Sequence, residues 1–323
     1  MLNLPKIQFL PESANARGPR AAASDRWRNY FYEMRPHQWI KNLLIFVPIA
    51  AAHGLGDWSA LWPCLLAFAA FCMGASSGYL FNDLVDLPAD RSRAQTATRP
   101  LAKGDVGTGG VLALQLLLLG GALAIAWSLN KAFFWTLVAY YTLMSAYTLA
   151  LKHVVVLDVF VLAAGYALRI AAGAAVAGIM VSSWLIALCG SLFMSLALLK
   201  RYVELIAVGT AGGTVPPEPR ARTLNRRGYL TIDAPIVAAQ GIASGNVTVL
   251  VLALYTNTDL VHRLYTHHRL FWLLCVLLLY WINYMWLMAG RERIPHDPVL
   301  FALNNPTSLA LGAAMGLTAW LAV

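Results

Sequence analysis

Long apolar runs separated by short polar clusters set the pattern of this chain. The apolar segments cover about 42–56, 60–81, 107–128, 132–151, 154–178, 181–199, 234–256, 270–289 and 299–322. Several approach the roughly 20 residues needed to cross the hydrocarbon of a bilayer. They predict an all-α polytopic membrane protein with about nine transmembrane helices, the first of them short and carrying Pro48. Ahead of them, residues 25–41 mix aromatic with cationic side chains, the composition of an amphipathic helix lying among lipid headgroups. Residues 1–24 carry Pro5, Pro11 and Pro19 among scattered bases and no apolar core of signal-peptide length, so they read as a disordered basic tail. Residues 25–323 then form a single membrane domain. Its longest polar connection, 203–233, is rich in Gly and Pro and is open to two readings, a flexible lid over a cytoplasmic site or a plain linker.

Composition strengthens the membrane reading. The chain of 323 residues is 59% hydrophobic and 12% charged, with a mean hydropathy of +0.61, where a soluble domain would be about 25% charged. The net charge of +9 raises the question of nucleic acid, but the positions of the bases answer it. Of the 24 Lys and Arg, twenty fall on the N-terminal side of the nine-span topology; Lys131, Arg263 and Arg269 fall on the other, and Arg169 lies within a span. That bias places the N-terminus in the cytoplasm and assigns the basic excess to topology and to anionic lipid or phosphate, with no nucleic-acid partner. Cys64, Cys72, Cys189 and Cys275 all sit in apolar segments without metal-ligand spacing and read as small core residues.

The dense polar clusters all fall on the cytoplasmic side. Asn82-Asp83-Leu84-Val85-Asp86-Leu87-Pro88-Ala89-Asp90-Arg91 follows an apolar run directly. On a helix Asp83, Asp86 and Asp90 share a face, at offsets of three and seven. A solvated loop of self-pairing acids and bases is the plain alternative, although Asn82 and Asp83 abut the span, where desolvation is costly. Hard oxygen ligands at this density suit Mg²⁺, which bridges carboxylates to substrate phosphates; Asp83, Asp86 and Asp90 are the expected metal ligands. Asp158 and Arg169 fall three helical turns apart in the fifth span, either as a buried ion network or on a substrate path. Lys200-Arg201 with Glu204 ends the sixth span, as phosphate ligands or as membrane anchors. Lys41 and Asn42 precede the first span, where they could meet a ligand at the membrane surface. The outer-side His262, His267 and His268 lack a carboxylate cluster and are not expected to hold a metal.

Together these residues carry a resemblance. Asn82-Asp83-x-x-Asp86-x-x-x-Asp90-Arg91 in a nine-span chain resembles the UbiA-like superfamily of intramembrane prenyltransferases. Arg35-Pro36-x-Gln38-Trp39-x-Lys41-Asn42, Leu151-Lys152-His153 with Asp158 and Arg169, and Lys200-Arg201-Tyr202-x-Glu204 look like the decaprenyl-phosphate phosphoribosyltransferases within it. Members that prenylate aromatic acceptors usually carry a second motif, Asp-x-x-x-Asp; here Lys152 and Asp158 stand in that region. The resemblance implies a UbiA-like bundle in a bacterial inner membrane with its site facing the cytoplasm. The implied reaction is Mg²⁺-dependent transfer of 5-phosphoribose from phosphoribosyl pyrophosphate to a polyprenyl phosphate, toward an arabinose-containing envelope polysaccharide. It gives Asp83, Asp86, Asp90 and Asp158 catalytic roles, and Lys41, Asn42, Asn82, Arg91, Arg99, Lys152, Arg169, Lys200, Arg201 and Glu204 substrate or phosphate contacts. The runner-up is prenyl transfer from a prenyl diphosphate to an aromatic ring. A transporter would instead show repeated halves with interrupted helices at mid-membrane, and no internal repeat is evident. A homo-oligomer is left open.

Overall fold

A computed structural model describes residues 23–92, 96–210, 227–295 and 297–323. The expected tail up to residue 22, residues 211–226 of the expected loop, and His296 lie outside the described residues. The helices run in the order α1 (Ala23–Glu33), α2 (Val47–Ala51), α3 (Trp58–Arg91), α4 (Pro100–Lys103), α5 (Thr108–Leu129), α6 (Lys131–Leu149), α7 (Leu157–Ala177), α8 (Ser183–Thr210), α9 (Ala234–Thr256), α10 (Asp259–Leu264), α11 (Phe271–Gly290), α12 (Pro298–Asn304) and α13 (Pro306–Ala322). Among the described residues, six helices are long and apolar enough to cross a membrane: α3, α5, α7, α8, α9 and α11.

Three expected boundaries change, each for a local reason. The segment 42–56 is not one apolar α-helix; residues Pro36–Phe46 form a 3-10 helix and only Val47–Ala51 are α-helical. The last expected span, 299–322, breaks at Asn305-Pro306, because proline cannot donate into a continuing helix; the Asn305 side chain instead accepts from Ser308 N and starts α13. The connection expected from residue 203 begins later, since α8 continues to Thr210. Arg201 and Glu204 looked like the polar end of a span but pair with each other three residues apart, which the helix accommodates.

The chain divides into two compact units: residues 1–152 with 168–180, and residues 153–167 with 181–323. In the first, the core gathers Ile45, Ala67, Ala70, Phe71, Ala122, Ala126, Phe133, Leu137, Tyr140 and Ala172. The small residues let helices approach closely, as is usual where apolar driving force between helices is weak. The 3-10 helix joins this core through its own geometry. At three residues per turn, Trp39, Asn42 and Ile45 stack on one face. Trp39 Nε1 donates to Ser76 Oγ at 2.9 Å and Asn42 Nδ2 to Cys72 Sγ at 3.3 Å, one turn apart on α3, while Ile45 is fully buried.

Gly173 of α7 fits against that segment: a Cβ there would lie 1.9 Å from the Ile45 carbonyl oxygen and 2.7 Å from its carbon. Both are backbone atoms and cannot swing aside. We therefore expect Gly173→Ala to lower the thermal midpoint in detergent by the equivalent of about 1–3 kcal/mol of overpacking. An unchanged midpoint would mean that the two backbones are not in this contact.

The second unit has its own core, built from α8, α9 and α11 around residues such as Leu199, Leu205, Val237, Ile282 and Met285. A buried polar link threads it. Trp286 Nε1 donates to Ser195 Oγ at 3.1 Å, and Ser195 Oγ donates to the Gly241 carbonyl at 2.7 Å. That route satisfies the indole N–H, which would be costly left unpaired in an apolar core.

Candidate functional site

The Asp-rich stretch occupies the last turns of α3, continuous with the apolar run before it. Pro88 within it cannot donate to the Leu84 carbonyl, leaving one intrahelical bond unmade near the acids. Each of the three aspartates has a cationic partner. Asp83, 2% exposed, receives Arg35 Nη2 at 2.6 Å on both carboxylate oxygens and Arg99 Nη1 at 3.1 Å. The same Arg99 Nη1 donates to Asp90 at 2.7 Å. Lys152 Nζ lies 2.7 Å from both oxygens of Asp86. Asn82 turns its amide toward Asp83 at 3.5 Å and accepts from Thr148 Oγ1 at 3.3 Å. Arg91, at the exposed end of α3, donates to the Ala102 carbonyl at 3.3 Å, which ties it to the following turn.

Arg35 reaches Asp83 from an unusual backbone. It sits in the left-handed region at φ 54°, ψ 56°, between α1 and the 3-10 helix, a conformation that costs a non-glycine residue roughly 1–2 kcal/mol. Its guanidinium also stands 5.1 Å from the Tyr79 ring centre. Strain at one residue, held in place by a bidentate ion pair, is a mark of functional sites. The reading of the sequence placed Arg35 in a motif but gave it no role. No spacing rule links a residue before the first span to one 48 positions later.

Two further residues of this unit came from the structure alone. Glu33 at the end of α1 is 2% exposed, and its Oε1 accepts from Leu101 N at 2.6 Å. Burial pushes its carboxyl above the usual carboxylate range and neighbouring Asp83 pushes the same way, while the Leu101 N–H, Arg35 and Arg99 pull it back. Tyr140 meets Arg169, whose Nη2 donates to the phenol oxygen at 2.8 Å and whose guanidinium lies 4.7 Å from the ring centre. Arg169 Nε donates to Asn42 Oδ1 at 2.8 Å. Asn42 and Arg169, both expected at a ligand, therefore meet each other inside the first unit.

Asp158 and Arg169 fall in different units. Each has partners within its own unit. In the second unit Asp158, fully buried, accepts from Arg201 Nε at 2.5 Å and from Tyr229 Oη at 2.8 Å. Arg201, also fully buried, pairs with Glu204, and Arg227 lies 3.7 Å from that carboxylate. Tyr229 Oη additionally accepts from Val156 N at 2.9 Å, bracing a β-branched residue at φ 69° that would otherwise be strongly disfavoured. Burial and the Asp158 carboxylate push the Tyr229 phenol far above its usual range, so it stays a donor. Lys41 and Lys200 are half-buried; their charges bear on Tyr140 and Glu204 respectively.

The donor chemistry of the first cluster suits a hard divalent cation. Among the described residues, no three His, Cys, Asp or Glu side chains converge as a ready cage. Mg²⁺ does not require one, since it is usually held by one or two carboxylates with substrate phosphates and water. Arg99 Nη1 already bridges Asp83 and Asp90 and so marks where positive charge is held between two carboxylates. Mg²⁺ fits this pair when Arg99 has an anion of its own to meet.

Comparison with known proteins identifies the family and the fold. Residues 43–208 match the UbiA prenyltransferase family. The chain is 34% identical over 289 residues to an uncharacterized protein, y4nM, of Sinorhizobium fredii, covering 88% of this chain but 54% of that protein, little more than half its length. It is 34% identical over 300 residues to nodulation protein NoeC of Azorhizobium caulinodans, covering 92% and 94% of the two chains. Over 188 residues it is 37% identical to decaprenyl-phosphate phosphoribosyltransferase of Mycolicibacterium smegmatis, covering 56% and 58%. Its fold matches a UbiA homolog of Archaeoglobus fulgidus bound to DMAPP and Mg²⁺, with a TM-score of 0.65 at 15% identity over 91% and 97% of the chains. With its helical membrane fold, its Asp-rich helix and these matches, the chain belongs to the UbiA prenyltransferase family of multi-pass membrane enzymes.

Proposed function

We propose that this enzyme transfers 5-phosphoribose from phosphoribosyl pyrophosphate to a polyprenyl phosphate, with release of pyrophosphate and dependence on Mg²⁺. The observation that carries the reading is the Lys152–Asp86 ion pair. It puts a fixed cation beside the Asp-rich helix, in the region where aromatic prenyltransferases of the family carry a second acidic motif. A fixed cation serves a reaction with phosphate on both substrates better than one with a neutral aromatic ring. The relative named decaprenyl-phosphate phosphoribosyltransferase supports the same direction.

The first cluster supplies what such a donor needs. Asp83 and Asp90 would hold Mg²⁺, with Asp86 adjoining; the ion would neutralise charge that develops on the departing diphosphate. Arg35, Arg99 and Lys152, now paired with carboxylates, would turn to the donor phosphates and keep one charge-assisted partner throughout. The bond from ribose C1 to diphosphate breaks with its electron pair on the leaving oxygen. The new bond forms from an oxygen of the lipid phosphate, already an anion, so no strong base is required. Positive charge that builds on the ribose ring is stabilised by nearby carboxylates, as in glycosyl transfer generally. In this reading Asp158 and Arg201 keep to each other and secure the second unit. The site faces the cytoplasm of a bacterial inner membrane, and the product feeds a pentose-containing envelope polysaccharide.

A second reading is prenyl transfer from a prenyl diphosphate to an aromatic acceptor, favoured by the fold match to a homolog bound to DMAPP and Mg²⁺. Both donors release pyrophosphate, so the deciding experiment follows the transferred group. Purified protein with radiolabelled phosphoribosyl pyrophosphate, polyprenyl phosphate and Mg²⁺ should move label into the lipid phase, and chelation with EDTA should stop it. No transfer of label, together with robust prenylation of an aromatic acid, would reverse the two readings.

A further inference from the structure

We propose that Glu33 is a positioning residue for the diphosphate site: its buried carboxylate fixes the Leu101 N–H, and thereby sets Arg99 against Asp83 and Asp90. The inference rests on the reading of the Asp-rich cluster as a diphosphate site and adds a residue that touches neither substrate nor metal.

The geometry starts from α4. Four residues, Pro100–Lys103, are far too few for a helix to hold itself together, and their leading N–H groups have no partner within the helix. Something outside must fix the turn. Leu101 does so twice: its side chain is 2% exposed among Leu80, Val106 and Val111, and its N–H donates to Glu33 at 2.6 Å. Two residues earlier stands Arg99, with a backbone that is extended at φ −64°, ψ 141°. Its Nη1 spans two carboxylates at 3.1 and 2.7 Å. A long, partly exposed side chain keeps such a bridge only if its Cα is held; Arg99 N donates to the Thr96 carbonyl at 3.0 Å and its carbonyl accepts from Lys103 N at 2.8 Å, and the Glu33 bond ties the turn so formed to α1.

Glu33 also carries a cost that an apolar residue would avoid. A carboxylate this deeply buried loses its hydration and regains one short backbone hydrogen bond and the fields of Arg35 and Arg99. Leucine or methionine at the end of α1 would pack there without that loss but would leave the Leu101 N–H unmet. The acid spans 68 residues of sequence to reach one N–H, and what that N–H controls is the placement of Arg99.

Reach and charge can be separated at this position. Glu33→Gln keeps the length and an acceptor oxygen but loses the charge. Glu33→Asp keeps the charge but is one methylene short of Leu101 N. Full-length protein in lipid nanodiscs would be titrated with pyrophosphate in the presence of Mg²⁺ by calorimetry, with thermal midpoints recorded alongside. Since displacement of a positioned group by about 1 Å can cost on the order of 100-fold, Glu33→Asp should weaken binding about tenfold or more and Glu33→Gln by less than about threefold. In an Arg99→Gln background Glu33→Asp should add nothing, because the group it positions is gone; a merely structural role would persist there. The proposal is overturned if Glu33→Asp binds as the wild type does, if Glu33→Gln is the weaker variant, or if the loss survives in Arg99→Gln. A wild-type protein that binds no magnesium pyrophosphate would overturn the diphosphate reading together with this one.

Discussion

Asp83→Asn should reduce transfer by about 10²–10³-fold or more, the scale of removing one preorganised charge from a transition state. Asp83 is the most enclosed of the three acids of α3 and the one that two guanidiniums share. The amide keeps the volume, so the helix has no steric reason to rearrange, and Arg99 retains Asp90. What changes is charge balance: Arg35 loses its carboxylate, and the proposed metal would lose one of its two proposed ligands. The variant should be purified in normal yield, with its thermal midpoint close to the parent's, and should bind Mn²⁺ in the presence of pyrophosphate much more weakly, as read by electron paramagnetic resonance. Full activity and unaltered Mn²⁺ binding in Asp83→Asn would remove the metal from this site.

The largest effect on stability is expected in the second unit. Arg201→Met should cost about 3–5 kcal/mol, the usual range for stripping one partner from a buried ion pair. Both Arg201 and Asp158 are fully buried, so water cannot compensate the carboxylate left behind. The test of cause is the pair: Asp158→Asn combined with Arg201→Met should recover much of the loss, because the uncompensated charge is gone. Thermal unfolding of the four proteins in one detergent measures this. If the double variant is as unstable as the sum of the two single ones, the pair is not what holds these helices.

These outcomes bear on how much of the molecule was legible in its sequence. The acids of α3 were readable as one helical face because offsets of three and seven are local and the apolar run before them fixed the helix. Their partners were not readable. Arg35, Arg99 and Lys152 come from three other places in the chain, and only the fold says which acid each one meets. Lys152 was singled out for its neighbourhood, yet its match to Asp86 needed coordinates. Arg201 and Glu204 misled as to the end of α8, since a residue that looks polar in sequence ceases to be so when its charge is cancelled by Asp158 from another helix. Glu33 left no trace at all, because its partner is a backbone N–H and any residue can offer one. The six long spans followed from apolarity alone; the broken first segment did not, because an apolar run carries no sign of whether it will wind at 3.6 or 3 residues per turn.

That tighter winding changes what the first segment can reach. A 3-10 helix rises about 2.0 Å per residue, against 1.5 Å in an α-helix. Eleven residues of the first therefore rise about 22 Å along its axis. The same eleven residues wound as α-helix would rise about 16 Å. Drawing the coil out carries the file of Trp39, Asn42 and Ile45 farther along its neighbour α3 than as many α-helical residues would reach.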